Sequence, residues 1–299
     1  MHEYPHILTP TTPFDFDKTL AFLNSFPPAY GDQTIEDGAL TKALRLDGST
    51  IAFSVVSAGT LDSPALEIRL HSESALDEAI QSRALAQIAR WLSIDDDLMP
   101  FYAIGHDDPQ IAPLIDRLYG YHQVRFISPF ENIVWAMLSA RNGRTNATNA
   151  KRRLLERWGG RIRLDGAEYL AFPEAHELLP ATHDDLLLIA RQDYRARFLG
   201  AAIQAFARVD EAWLYSAPDD EVYRWLRGIE GVGEWTASFI LLRGLGRMAY
   251  LRTPEETLIE IVARRYGTPA NAKGTLQAAR PYQGIAGGYW AHYLRAGGG

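Results

Sequence analysis

The first hundred residues carry apolar positions at two different spacings. Thr41–Leu46 and Thr50–Ser57 alternate apolar and polar residues and are joined at Asp47-Gly48. Both residue types accept the positive φ angles of a tight turn, so this stretch predicts a β-hairpin. Ala65–Leu70 alternates in the same way and predicts a further strand. Across Ala75–Leu92, Ala75, Ile80, Ala84, Ile88 and Trp91 fall near one face of a helix, and Asp17–Phe26 predicts a shorter one. After about Asp97 the twofold alternation fades. Helices are predicted at Ile111–Tyr119, Pro129–Ser139, Asn146–Trp158, Ala175–Leu179, His183–Ile189, Tyr194–Arg208, Asp219–Leu226, Trp235–Leu242, Pro254–Tyr266 and Gly288–Leu294. Glycine and proline separate them, as at Gly120, Gly159-Gly160 and Gly267-Thr268-Pro269. The expected architecture is an α+β N-terminal domain over 1–105, followed by an all-α domain over 106–299.

Composition narrows the function classes. At 299 residues the chain can bury two cores, and 47% hydrophobic with 22% charged residues is ordinary for a soluble globular protein. No apolar run reaches the ~18 residues of a membrane span. Met1–Pro10 lacks the basic and apolar pattern of a secretory leader, so a cytoplasmic location is expected. The absence of cysteine excludes disulfides, thiol nucleophiles, iron–sulfur clusters and cysteine-based zinc sites. The eight histidines are scattered, with no pair at ligand spacing on a helix turn.

The net charge of −7 argues mildly against nucleic acid, but the charge is unevenly spread. Residues 1–100 hold 15 acidic and 6 basic side chains, and the remainder holds 22 acidic and 24 basic. Between Arg141 and Leu164, Arg141, Arg144, Lys151, Arg152, Arg153, Arg157, Arg161 and Arg163 stand against Glu156 alone. On composition this window reads equally as a solvated helix face or as a patch for a polyanion.

The most informative stretch runs from Leu226 to Arg247. A helix ends near Leu226, Gly231-Val232-Gly233 forms a hairpin, and a second helix starts near Glu234. Glycine permits a tight turn and close approach of another molecule. The next helix offers unpaired N–H groups and the positive end of its dipole. Gly231, Gly233 and the first helical turn at Thr236 would together seat a DNA phosphate, with Val232 as the apolar peg. A plain turn between two helices is the competing reading of Gly-x-Gly. The apolar face Phe239, Ile240 and Leu242 extends the pattern beyond that minimum.

This string resembles the helix-hairpin-helix DNA glycosylase superfamily, and more narrowly the AlkA-type 3-methyladenine DNA glycosylases. Ser128–Ser139, Asn146–Gly159 and Arg191–Ala207 are similar to the helices preceding the family's hairpin, so the resemblance spans Gly120–Tyr293. The N-terminal region fits the family's extra α+β domain loosely. The resemblance implies a monofunctional enzyme that excises alkylated purines of the 3-methyladenine type from double-stranded DNA by base flipping. It implies a monomer at the bacterial nucleoid, with no membrane association and no catalytic metal or cofactor. A structural monovalent cation under the hairpin, on carbonyls near Ile229 and Val232, would fit the family.

In such enzymes a carboxylate stabilises positive charge developing on the sugar. The family's aspartate is absent here. Aligning the following apolar helix selects Glu256, whereas an ungapped count from Trp235 selects Glu255. Thr253-Pro254-Glu255-Glu256 also reads as a capping box, with Thr253 as N-cap. Where the family has glutamine before its strand wedge, this chain has Ala140, which leaves Arg141 or Asn142 to fill the gap left by a flipped base. Related enzymes that also cut the strand carry a lysine where Trp235 stands, and tryptophan cannot form a Schiff base. Trp235 and Phe239 share a helix face and could form an aromatic wall for a cationic base, closed by Trp290 and Tyr289. Helix packing is the alternative role for Phe239. A lesion-binding protein that has lost excision is the alternative function.

Overall fold

The computed structural model describes residues 1–29 and 31–297; Tyr30 and the last two residues of the expected second domain lie outside it. Strands β1 (His2–Leu8), β2 (Gln33–Glu36), β3 (Ala39–Leu46), β4 (Ser49–Ser57) and β5 (Leu66–Ser72) form an antiparallel sheet in the order β1-β5-β4-β3-β2. The β3–β4 turn has positive φ at both Asp47 (47°) and Gly48 (74°), as its sequence predicts. In that register Leu44 faces Ile51 and Leu40 faces Val55. Helices α1 (Phe16–Ser25) and α2 (Glu78–Leu92) are capped by the Asp15 and Asp77 side chains. They share a core with the sheet that includes Leu20, Leu23, Ile88 and Trp91.

The remaining helices are α3 (Met99–Gly105), α4 (Ala112–Leu118), α5 (Pro129–Ser139), α6 (Arg144–Trp158), α7 (His183–Ala190), α8 (Asp193–Phe206) and α9 (Glu211–Ser216). They continue with α10 (Asp219–Arg227), α11 (Glu234–Arg243), α12 (Glu256–Tyr266), α13 (Ala272–Ala278) and α14 (Gly287–Gly297). This half is not all-α. A hairpin of β6 (Gly160–Leu164) and β7 (Ala167–Ala171) turns at Asp165-Gly166, with φ of 51° and 83°. Its Ile162, Tyr169 and Ala171 pack on Ala43 and Ala52, so the hairpin covers the sheet face opposite α1 and α2. Small residues allow that approach: a Cβ at Gly160 would lie 2.2 Å from Thr50 Oγ1.

The helices form two lobes. One core gathers α5 to α8 with α10 and α11; the other gathers α3, α4, α12 and α14. The expected division at 105/106 falls between α3 and α4, which pack into the same core. Helix α11 lies at the junction: Leu241 belongs to the first core and Leu242 to the second. The basic window also divides. Lys151 is buried on Asp32 and Glu131, tying the sheet region to α5 and α6. Arg157 and Arg161 pair with Asp185 and Glu168 at the surface.

Candidate nucleic-acid interface and active site

Helix α10 ends at Arg227 and α11 begins at Glu234, so the hairpin occupies the residues between them. Ile229 and Val232 are 7% and 6% exposed and pack with Leu226 and Ala237, which makes Val232 the peg its position predicts. Gly231 has φ +87°, and a Cβ there would lie 2.4 Å from the Phe198 ring of α8. Only glycine meets both conditions. Gly231 and Gly233 are exposed, and among the described residues neither N–H is taken up by a backbone carbonyl. The first turn of α11, including half-buried Thr236, adds its own free amides and dipole. The surface can therefore receive an anion.

Both carbonyls named for the expected cation seat accept one hydrogen bond. The Ile229 carbonyl accepts from the Val232 N–H, and the Val232 carbonyl accepts from Arg227 Nη1, both at 3.0 Å.

One turn along α11 the chain borders a cavity of about 220 Å³ at the junction of the two lobes. Trp235 and Phe239 form one wall, with rings stacked at 5.0 Å and 10°. Trp235 is 38% exposed, whereas Phe239 is half-buried and also meets Phe126 edge-on. Glu255 at the start of α12 and Arg295 of α14 also line the cavity. Arg295 grips Glu255 in a two-pronged pair, Nε to Oε1 and Nη2 to Oε2, the latter at 2.6 Å. Burial pushes the Glu255 carboxyl up, but the hydrogen bonds and charge of Arg295 outweigh it and hold the carboxyl below the usual range. The cavity thus holds both an ionised carboxylate and an aromatic wall.

Several expected residues lie elsewhere. Glu256 is exposed as the first residue of α12 and does not line the cavity. The capping box is not formed: Glu255 is the N-cap and makes no side-chain cap bond, while Thr253 Oγ1 accepts from Ser238 Oγ. The pairing with α14 takes the Glu255 carboxylate away from local capping. Trp290 is fully buried and donates its indole N–H to Tyr266, and Tyr289 is buried with its hydroxyl on Asp96. Both belong to the core around α14 rather than to the cavity wall. In the loop after α5, Asn142 donates its side-chain amide to the Leu138 carbonyl, capping that helix. Arg141 is exposed at φ 50°. Arg195 of α8 donates to the Ala140 and Arg141 carbonyls, and Phe198 of the same helix underlies Gly231, so α8 supports both loop and hairpin.

Two charged cavity residues escaped the sequence reading. Arg243 follows Trp235 and Phe239 at helix spacing, a signal within the motif itself. Arg295 has no such signal, because it meets Glu255 from 40 residues away.

No family model matches the chain. A DNA-3-methyladenine glycosylase of Bacillus subtilis (strain 168) is 23% identical over 249 residues, covering 82% of this chain and 81% of that protein. Among solved structures, the 3-methyladenine DNA-glycosylase from Archaeoglobus fulgidus superposes with a TM-score of 0.77 at 19% identity, over 97% of each chain. The Clostridium acetobutylicum 8-oxoguanine glycosylase/lyase in its apo form gives 0.72 at 17% identity, over 98% of this chain and 96% of that one. Hairpin, junction cavity and superposition agree that the chain carries the fold of the helix-hairpin-helix DNA glycosylase superfamily.

Proposed function

We propose that the chain is a monofunctional DNA glycosylase that turns a damaged purine out of double-stranded DNA and hydrolyses its bond to the sugar. One observation carries the reading: helix α11 joins an exposed hairpin with unused amides to an aromatic wall that shares a cavity with an ionised carboxylate. The hairpin amides bind a phosphate near the lesion, and Arg141 fills the vacated stack. The extruded base lies on Trp235 and Phe239. As the glycosidic bond breaks, Glu255 stabilises the cationic sugar until water adds. Trp235 offers no amine, so the reaction ends at base release. Alkylated purines of the 3-methyladenine kind are the first substrates to test, since the Bacillus subtilis relative and the Archaeoglobus fulgidus structure bear that name.

The test is release of free base from an alkylated duplex by the wild type and by Glu255→Gln. Release by the wild type that falls in the variant supports the reading. Release indifferent to Glu255 removes the assigned acid. Tight lesion binding without release favours a lesion-binding protein, a reading that the engagement of Glu255 by Arg295 gives some ground for. Affinity falling with salt at a slope of about −0.9 per neutralised phosphate is expected, and flat affinity contradicts DNA as the partner.

A further inference from the structure

A second pocket, of about 500 Å³, opens between α6, the end of α7 and the start of α8. Arg152, Arg153, Arg191 and Arg195 line it with Asn146 and Asn149, and among the described residues no carboxylate does. In a chain of net charge −7 this is a local reversal of sign. The four cations differ in what they already hold. Arg153 donates to the Ile189 carbonyl, and Arg195 to the Ala140 and Arg141 carbonyls, so both are fixed in the wall. Burial, and then the charges of Arg191 and Arg152, pull Arg153 below its usual range, so these cations lie close enough to repel one another. Arg152 is exposed and has only a 3.5 Å contact with Glu156. Arg191 is exposed, and among the described residues its guanidinium has no hydrogen-bond or ion-pair partner. It also closes α7 at φ 57°, a left-handed conformation that favours glycine, so the position keeps its charge against the backbone preference. The side-chain amides of Asn146 and Asn149 are likewise unengaged among the described residues.

Like charges repel, and an anion held among them relieves the repulsion. Guanidinium forks match the oxygens of a phosphate. The surroundings of the pocket identify where that phosphate comes from. Asn142, in the loop whose Arg141 fills the vacated stack, borders the pocket too. Arg195 holds that loop by its carbonyls, and Phe198, one turn further along α8, underlies Gly231 of the hairpin. Helix α8 therefore sets pocket, loop and hairpin side by side. We propose that the pocket is a second phosphate seat, in which Arg191 and Arg152, with Asn146 and Asn149, grip a backbone phosphate of the same duplex that the hairpin holds. This rests on the glycosylase reading and adds a contact to its partner. The hairpin offers neutral amides, whereas the pocket offers full charges, so the pocket displaces counterions and carries much of the salt dependence of binding.

The experiment measures binding against salt concentration for a duplex carrying an alkylated base and for its undamaged counterpart, with wild type, Arg191→Gln and the double variant Arg152→Gln/Arg191→Gln. Arg191→Gln should make the logarithmic salt slope shallower by about one and weaken both duplexes by the same factor, because a phosphate contact carries no base information. Arg191→Gly, which suits the left-handed turn, decides the matter if the glutamine variant loses stability. Single phosphates are then replaced by neutral methylphosphonates, one position at a time on either strand. At one position the replacement should weaken wild type and leave the double variant unaffected, which locates the seated phosphate. Unchanged slopes in the Arg191 variants, or no position at which duplex and protein changes fail to add, overturn the inference and leave the glycosylase reading intact. A shallower slope in a protein that releases no base sustains the seat while the glycosylase reading fails. A wild-type affinity indifferent to salt overturns both.

Discussion

Replacing Glu255 by glutamine tests how charge is arranged in the cavity, because Arg295 is bound to the same carboxylate. For a sugar cation ~4 Å from the carboxylate at an effective dielectric near 20, the attraction is about 4 kcal/mol. The Arg295 charge, roughly 8 Å from the same point, opposes it by about 2 kcal/mol. The wild-type pair therefore yields a net stabilisation of about 2 kcal/mol. Glu255→Gln removes the attraction and keeps the repulsion, so release should fall by about 4 kcal/mol, or roughly 1,000-fold. The double variant Glu255→Gln/Arg295→Met removes both charges and should lose only about 30-fold against wild type. The double variant should thus outperform the single one by about 30-fold in single-turnover base release, an inversion that simple damage to the site would not produce. Glu256→Gln, at an exposed position, serves as the control and should stay near wild type. A loss below about tenfold in Glu255→Gln, a comparable loss in Glu256→Gln, or a double variant no faster than the single would each refute this electrostatic account.

Four further outcomes follow from the geometry. Glu255 is held below the ordinary carboxyl value of about 4.3, so the acid limb of the rate profile should lie below that pH and move upward in Arg295→Met. The same depressed carboxyl stabilises the fold above its unfolded pKa, and that contribution is lost as pH falls through the folded value; denaturation midpoints against pH read it directly. Gly231→Ala meets both φ +87° and the Phe198 ring, so it should destabilise by more than the ~1–2 kcal/mol of a left-handed residue alone. Gly233→Ala has only Arg227 Nη1 nearby, at 3.9 Å, and should stay within about 0.5 kcal/mol in denaturant melts; equal effects at the two glycines would contradict the hairpin geometry. Trp290→Ala should cost about 3–5 kcal/mol of stability because the indole is fully buried. Trp235→Ala should instead weaken lesion binding with little change in melting, and a reversed pattern would remove Trp235 from the base wall.

Much of the fold is local and therefore legible. Ser128 accepts from the Glu131 N–H and Pro129 opens α5, so the predicted span Pro129–Ser139 matches the helix. The Asp47-Gly48 turn is equally plain, and the same dipeptide marks two turns that the reading passed over, Asp37-Gly38 and Asp165-Gly166. Recognising the latter would have placed β6 and β7 in the second half of the chain. Edge strand β1 is harder to see, because its residues are exposed or half-buried and Pro5 interrupts it.

By itself the sequence determined the turns, the caps and the glycine-bracketed hairpin, since each depends on φ preferences and hydrogen bonds within a few residues. It also put Trp235, Phe239 and Arg243 on one helix face, because helical periodicity requires it. Tertiary structure alone decided which glutamate borders the cavity and which tryptophan is core. The choice between Glu255 and Glu256 depends on where Arg295 arrives from α14, and the burial of Trp290 depends on Tyr266 and Tyr282 closing around it. Charge pairing and burial depend on neighbours distant along the chain, and local spacing carries no record of them.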